Sequence, residues 1–171
     1  MEALSIDIDA RAGLDFMLKM TDLRKVSLMK LKALIVDDEY PARQELRYIL
    51  SNFDSVEIVG EAANAHEALA LIKALDYQVL FLDISMPGMS GLELGAAVQS
   101  LPKRPYIIFV TAHDEYAVSA FEVNAVDYLL KPVEPGRVKK ALKKVFQISQ
   151  ETLVPEVVGY QEGLSAPEND K

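Results

Sequence analysis

The stretch Val79-Leu80-Phe81-Leu82-Asp83-Ile84-Ser85-Met86-Pro87-Gly88 decides the fold. It opens as an apolar run of strand length and ends in one carboxylate followed by a Pro-Gly loop. A short apolar run bounded by turn residues reads as a strand buried on both faces, the kind that belongs in a parallel sheet covered by helices. Asp83 then stands at the carboxyl end of that strand. Ligands of open α/β sheets bind in the crevice outside those ends, so topology makes Asp83 a candidate working group. The competing reading of one such acid is a turn cap, and only the surrounding chain decides between them.

Upstream, Leu31 to Val36 forms a first buried strand that stops in Asp37-Asp38-Glu39. Pro41 suits the first turn of a helix, and Ala42, Leu46, Ile49, Leu50 and Phe53 extend it as an apolar stripe. The three acids complement the dipole at that helix start. They also repel one another, and a hard cation would relieve the repulsion. Val56 to Ala62 is a second strand. Asn64-Ala65-His66-Glu67 is a capping-box pattern before a helix with Ala65, Ala68, Leu69 and Ile72 on its apolar face, which leaves His66 exposed rather than a ligand.

Downstream of Asp83, Ser90-Gly91-Leu92-Glu93 repeats the capping pattern, with Leu94, Ala97, Val98 and Leu101 expected inward and Leu101-Pro102 closing the helix. Pro105 to Val110 is a fourth strand, closed by Thr111-Ala112-His113-Asp114, and Asp114 is expected to cap a short helix through Tyr116, Val118 and Phe121. Ala125 to Leu130 is the fifth, ending at Lys131-Pro132. A lysine beside a buried run either packs its stem with its ammonium in water or finds an anionic partner. Pro135-Gly136-Arg137 opens the last helix, with Val138, Ala141, Leu142, Val145 and Ile148 expected inward. Lys139, Lys140, Lys143 and Lys144 decorate its outer face, as a solvated surface or a contact for an acidic partner.

The 171 residues suit one packed domain with some chain left over, and 50% apolar with 26% charged residues is a soluble globular balance. The absence of cysteine excludes disulfides and thiolate metal sites. A net charge of -8 disfavours direct nucleic-acid contact. No apolar stretch approaches the ~20 residues that span a bilayer, and no signal core precedes the first strand, so a cytoplasmic location is expected. Residues 1–30 read as an N-terminal extension, weakly helical or disordered, with Met29 as an alternative start; residues 31–150 form the domain, and residues 151–171 a flexible acidic tail.

Five strands alternating with five helical segments define a three-layer α/β/α sandwich around a five-stranded parallel sheet with right-handed crossovers. All strand carboxyl ends then share one edge, which gathers Asp37, Asp38, Asp83, Thr111 and Lys131. Such a set can perform metal-assisted phosphoryl transfer. A carboxylate can attack phosphorus to form an acyl phosphate. Mg2+ suits Asp38 and Asp83 directly with Asp37 through water, while Lys131 and the Thr111 hydroxyl hold the remaining phosphoryl oxygens.

From about Met29 to Gln150 the chain resembles the receiver domain of a two-component response regulator. The resemblance is carried by Val36-Asp37-Asp38-Glu39, Leu82 to Gly88, Val110-Thr111-Ala112 and Asp127-Tyr128-Leu129-Leu130-Lys131-Pro132. Tyr40-Pro41-Ala42-Arg43, Thr111 to Ala117 and Phe121 to Tyr128 further resemble receivers of the LytR/AlgR (LytTR) group of bacterial transcription regulators. The resemblance implies a flavodoxin-like (βα)5 domain with strand order 2-1-3-4-5. It implies that Asp83 accepts a phosphoryl group from a sensor histidine kinase, that the Ser85 backbone carbonyl joins the Mg2+ ligands, that Thr111 and Tyr128 form a switch pair, and that the Lys131-Pro132 bond is cis. The readout would be the fourth helix, fifth strand and fifth helix, through which a phosphorylation-dependent homodimer can form.

Regulators of this group continue into a DNA-binding domain, whereas here an acidic tail follows. The expectation is therefore either part of a longer regulator or a stand-alone receiver that acts in a phosphorelay or on a partner protein, without membrane or direct nucleic-acid contact. Ser85 and His113 occupy positions that influence phosphoryl lifetime in receivers. The chain is expected to be a switch rather than a turnover enzyme. Haloacid-dehalogenase-like phosphatases carry a second acid where this chain has Ser85. A flavin protein of similar topology would need a hydroxyl-rich phosphate loop in place of Asp37-Asp38-Glu39. A scaffold that no longer turns over is a further alternative within the family.

Overall fold

A computed structural model describes residues 30–153, with side chains described as far as residue 150. The expected N-terminal extension, the alternative start at Met29 and the acidic tail beyond residue 153 lie outside the described residues. The elements alternate strictly: β1 (Leu31–Val36), α1 (Tyr40–Ser51), β2 (Val56–Ala62), α2 (Ala65–Ala74), β3 (Val79–Leu82), α3 (Gly91–Gln99), β4 (Tyr106–Thr111), α4 (Ala117–Glu122), β5 (Asp127–Leu130) and α5 (Pro135–Leu153). One five-stranded sheet has the order β2-β1-β3-β4-β5, with every neighbouring pair parallel. This is the expected sandwich.

Alternation along each strand divides the core between two helical layers. Leu31, Ala33 and Ile35 of β1, with Phe81 of β3, pack against Leu46, Ile49 and Leu50 of α1 and Val138, Leu142 and Val145 of α5. Leu34, Val36, Leu80 and Leu82 point the other way, against Ala68 and Ile72 of α2 and Leu94 and Val98 of α3. All of β3 is buried, which explains its unbroken apolar run.

Register aligns the strand ends that matter. Val36 pairs with Leu82, and Leu82 with Phe109. Hydrogen bonding continues one step past the strands, from Asp83 N–H to the Val36 carbonyl at 2.8 Å and from Lys131 N–H to the Thr111 carbonyl at 2.8 Å. The chain leaving β3 is thereby tied to the end of β1, and the chain leaving β5 to the end of β4.

Both capping patterns form. Asn64 Oδ1 accepts the Glu67 N–H at 2.9 Å, and the Glu67 carboxylate accepts the Ala63 N–H at 2.8 Å. At α3 the reciprocal box closes between Ser90 and Glu93. Several local expectations change. β4 runs from Tyr106 through Thr111, and β5 begins only at Asp127. Ala97 is exposed, because the inward column of α3 follows the four-residue spacing Gly91, Gly95 beside Leu94, Val98. Ile148 is 39% exposed. The 19 residues of α5 rise about 28 Å against about 20 Å for the six-residue β1 in the same core layer, so its last turns have less strand to cover them. Asp114 is not a side-chain cap: Tyr116 holds the N-cap position of α4, and Asp114 lends only its backbone carbonyl to the Ala117 N–H. A helix of six residues has room for little inward surface, so Ala120 is buried while Val118 and Phe121 are 73% and 77% exposed.

Candidate functional site

The chain reverses from β1 into α1 through Asp37, Asp38 and Glu39, and from β3 into α3 through Asp83 to Ser90. Carboxylate oxygens of Asp37, Asp38 and Asp83 lie within 4.8 Å of one another. Asp37 and Asp83 are buried, as is Thr111 at the end of β4. The Lys131 ammonium reaches in from the end of β5, 2.7 Å from Asp37 Oδ2 and 3.7 Å from Asp83 Oδ2. The structure thus brings Asp37, Asp38, Asp83 and Lys131 together, and the Lys131 N–H on the Thr111 carbonyl ties Thr111 to the same edge.

Three carboxylates face one lysine, and the imbalance shapes the electrostatics. Burial, opposed by the Lys131 charge and reinforced by that of Asp37, raises the Asp83 carboxyl above its ordinary value. Burial works against the charged form of Lys131 but is outweighed by its hydrogen bond to Asp37 and the charges of Asp83, Asp37 and Glu39, so its ammonium is held above the usual range. Asp37 is held at both oxygens, by the Glu39 N–H at 2.8 Å and by Lys131. Asp38 Oδ1, in contrast, is buried without any hydrogen bond among the described residues. A buried oxygen left unsatisfied beside two further carboxylates is what a hard cation would complete, so the donor set fits Mg2+ by charge and by ligand chemistry.

The loop that carries Asp83 is tightly backed. Backbone N–H groups of Ile84 and Ser85 serve the Asp83 carboxylate, the first at 2.9 Å to Oδ1. Gly88 turns the loop at φ +80, a conformation that L side chains rarely adopt. Gly91 opens α3 directly against the Asp83 carbonyl: a Cβ there would overlap that oxygen and lie 2.8 Å from Ile84 Cα. Ser85 itself is exposed on the loop.

Thr111 Oγ1 accepts the His113 N–H at 3.4 Å, and the Tyr128 hydroxyl donates to the His113 backbone carbonyl. Thr111 and Tyr128 therefore meet on one residue of the β4–α4 loop. Burial first, then the charges of Glu115 and Asp114, raise the Tyr128 phenol, keeping it a donor. The Lys131-Pro132 bond is cis. Sequence reasoning missed two contributors. Gly91 falls inside a capping pattern, and its lack of a Cβ also lets the start of α3 approach the Asp83 carbonyl. Arg43, the last residue of the Tyr40-Pro41-Ala42-Arg43 motif, donates to the Asp37 backbone carbonyl at 2.8 Å, a role that its place in the sequence does not reveal.

A parallel sheet with clustered acids and a lysine on its carboxyl edge defines a receiver-type signalling domain, and comparison with known proteins gives the class its family. The model of the response regulator receiver domain matches residues 33–143, and the chain belongs to that family. It is similar to the transcriptional regulatory protein BtsR of Salmonella typhi, 53% identical over 117 residues that cover 68% of this chain and 48% of the relative. It is also similar to the transcriptional regulatory protein LytR of Staphylococcus aureus, 47% identical over 115 residues that cover 67% and 47%. The chain spans about half the length of these curated relatives. Among solved structures, the response regulatory domain of protein mrkE from Klebsiella pneumoniae matches with a TM-score of 0.66 and 34% identity, covering 71% of this chain and 99% of that one. The chain thus contains a receiver domain of a two-component response regulator.

Proposed function

We propose that Asp83 is the phosphoacceptor of this receiver and that residues 31–150 are the functional unit, flanked by accessory segments 1–30 and 151–171. A carboxylate oxygen of Asp83 attacks the phosphorus of a phosphohistidine on a sensor kinase; the new O–P bond replaces the N–P bond, and the imidazole nitrogen takes up a proton. Asp37, Asp38, Asp83 and the Ser85 backbone carbonyl would hold Mg2+. When bound, the ion neutralises charge on the transferring phosphoryl group. Lys131 offers its ammonium to a second phosphoryl oxygen, and Thr111 offers its hydroxyl to a third. The observation that carries this reading is the unsatisfied Asp38 Oδ1 beside two buried carboxylates and one lysine, an arrangement short of positive charge.

The same geometry supports a switch. If Thr111 Oγ1 turns toward a phosphoryl group it leaves the His113 N–H, and the loop that anchors the Tyr128 hydroxyl shifts with it. A phosphoryl group then biases two arrangements of one element, which is a population shift. Val118 and Phe121 on α4 and Leu130 on β5, which is 49% exposed, supply an apolar readout face for a homodimer or a partner. The output follows the relatives, regulation of transcription in a cytoplasmic LytTR-type regulator, with turnover confined to the domain's own phosphorylation and dephosphorylation.

The test is intact mass and solution molar mass, measured together in Mg2+ before and after acetyl phosphate, on wild type and Asp83→Asn. Wild type should gain one phosphoryl group and the variant none. A variant that still gains the mass overturns the assignment. Dimerisation on modification would support output through the α4–β5–α5 face, and phosphate gain by an unchanged monomer would favour action on a different protein.

A further inference from the structure

Asp38 presents a difficulty for any cation site: its carboxylate has a buried oxygen with no hydrogen bond, so nothing attached to that oxygen aims it at the pocket. The neighbouring backbone does. The Asp37 carbonyl and the Asp38 N–H share one planar peptide unit, so whatever pins the carbonyl fixes the plane from which Asp38 Cα departs. Arg43 Nη1 donates to that carbonyl at 2.8 Å from the first turn of α1.

The guanidinium is itself held from two other directions. Its Nε lies 3.7 Å from Glu61 Oε2 on β2, and its Cζ sits 5.5 Å from the centroid of the Tyr40 ring. The side chains of Arg43 and Glu61 are only 13% and 17% exposed. Glu61 is also paired with the more exposed Arg47. An ordinary surface ion pair contributes little and fixes nothing. Here a largely covered planar group joins the end of β2, the start of α1 and the loop after β1, and among the described residues its hydrogen bond goes to the backbone of the loop.

We propose that Arg43, held by Glu61, is a positioning residue for the cation site: it orients the Asp37–Asp38 peptide so that the Asp38 carboxylate faces Asp83. The proposal rests on the reading that these acids hold Mg2+. Its sign separates it from simple electrostatics. Arg43 is a cation near a cation site, so if charge were its whole contribution, removing it would tighten Mg2+ binding. A positioning role predicts the reverse. Lysine keeps the charge but lacks the planar fork needed to meet carbonyl and carboxylate together, so it should restore only part of the function.

The experiment is calorimetric Mg2+ titration of wild type, Arg43→Ala, Arg43→Lys and Glu61→Gln, with melting temperature recorded for each and Asp83→Asn as the site control. Arg43→Ala should weaken Mg2+ binding about tenfold, as removal of a ligand-orienting group does, with smaller losses for Arg43→Lys and Glu61→Gln. The acetyl phosphate rate should approach that of wild type at saturating Mg2+, which a general loss of structure would not allow. Unchanged or tighter Mg2+ binding by Arg43→Ala overturns the proposal while wild-type binding leaves the site reading intact. If Arg43→Ala does not fold, wild-type affinity in both Arg43→Lys and Glu61→Gln overturns it equally. Wild type that binds no Mg2+ and gains no phosphate defeats the underlying reading instead.

Discussion

The two sides of the site are built differently. On the acid side, the Asp37 N–H bonds the Ala62 carbonyl at 3.1 Å, its carbonyl takes Arg43, and its carboxylate takes Glu39 N–H and Lys131. The following helix, α1, runs 12 residues and buries Leu46, Ile49 and Leu50. On the hydroxyl side, Thr111 is followed by a loop and then by α4, six residues long, with no side-chain cap and with Ala120 as its buried residue. One half is cross-braced and the other is held by few bonds. The proposed cation site calls for the first and the proposed switch for the second, because a cation site has to be preorganised while a switch has to have a second arrangement within reach.

This contrast can be broken most forcefully with one substitution made twice. Phe81→Ala removes a fully buried ring from the core between β3 and the α1–α5 layer and should cost about 3–5 kcal/mol in urea unfolding, whereas Phe121→Ala on α4 should stay within about 0.5 kcal/mol. Comparable losses would mean that α4 is as well anchored as the sheet. Gly91→Ala should cost about 3 kcal/mol and slow modification of Asp83, since the added methyl can be housed only by moving the backbone that carries this proposed acceptor. Native-state hydrogen exchange sharpens the same distinction, with α4 amides expected to exchange about a hundredfold faster than those around Leu50 in α1. Equal protection would contradict a loosely held hydroxyl side.

Smaller effects test the supports. Ser90→Ala should lose about 1 kcal/mol by opening the capping box at α3, read as a lower urea midpoint with an unchanged slope. Asp83→Asn tests the electrostatics without Mg2+. The folded carboxyl is raised above its ordinary 3.8, so the folded state binds more protons across the interval between the two values. Stability is fully present below the ordinary value and declines as pH rises through the raised one. The asparagine variant escapes that decline. It should melt above wild type at neutral pH and lose the advantage as the pH falls below the ordinary carboxylate value; a constant advantage at every pH would assign it to packing instead.

Much of this was legible from residues in order. Ala33 to Val36 and Val79 to Leu82 are apolar without interruption because both faces of a central parallel strand are covered, and Asn64 and Ser90 cap helices through atoms a few residues away. The candidate site was legible for the same reason: each acid or lysine stands at the end of a recognisable strand, and a parallel sheet sends all such ends to one edge. Strand order was supplied by family resemblance, because nothing in an isolated strand says which neighbour it will choose.

Local chemistry by itself determined element type, the caps and the gathering of Asp37, Asp38, Asp83, Thr111 and Lys131 on one edge. Tertiary structure alone decided that Ala97 turns outward while Gly95 packs beside Val123, that Gly91 touches the Asp83 carbonyl, and that Arg43 reaches the Asp37 carbonyl from one side and Glu61 from the other. The division has a physical cause. Propensity, capping and burial patterns act over a few residues along the chain, whereas close approach and side-chain bracing depend on distances between elements that exist only once the sheet has assembled.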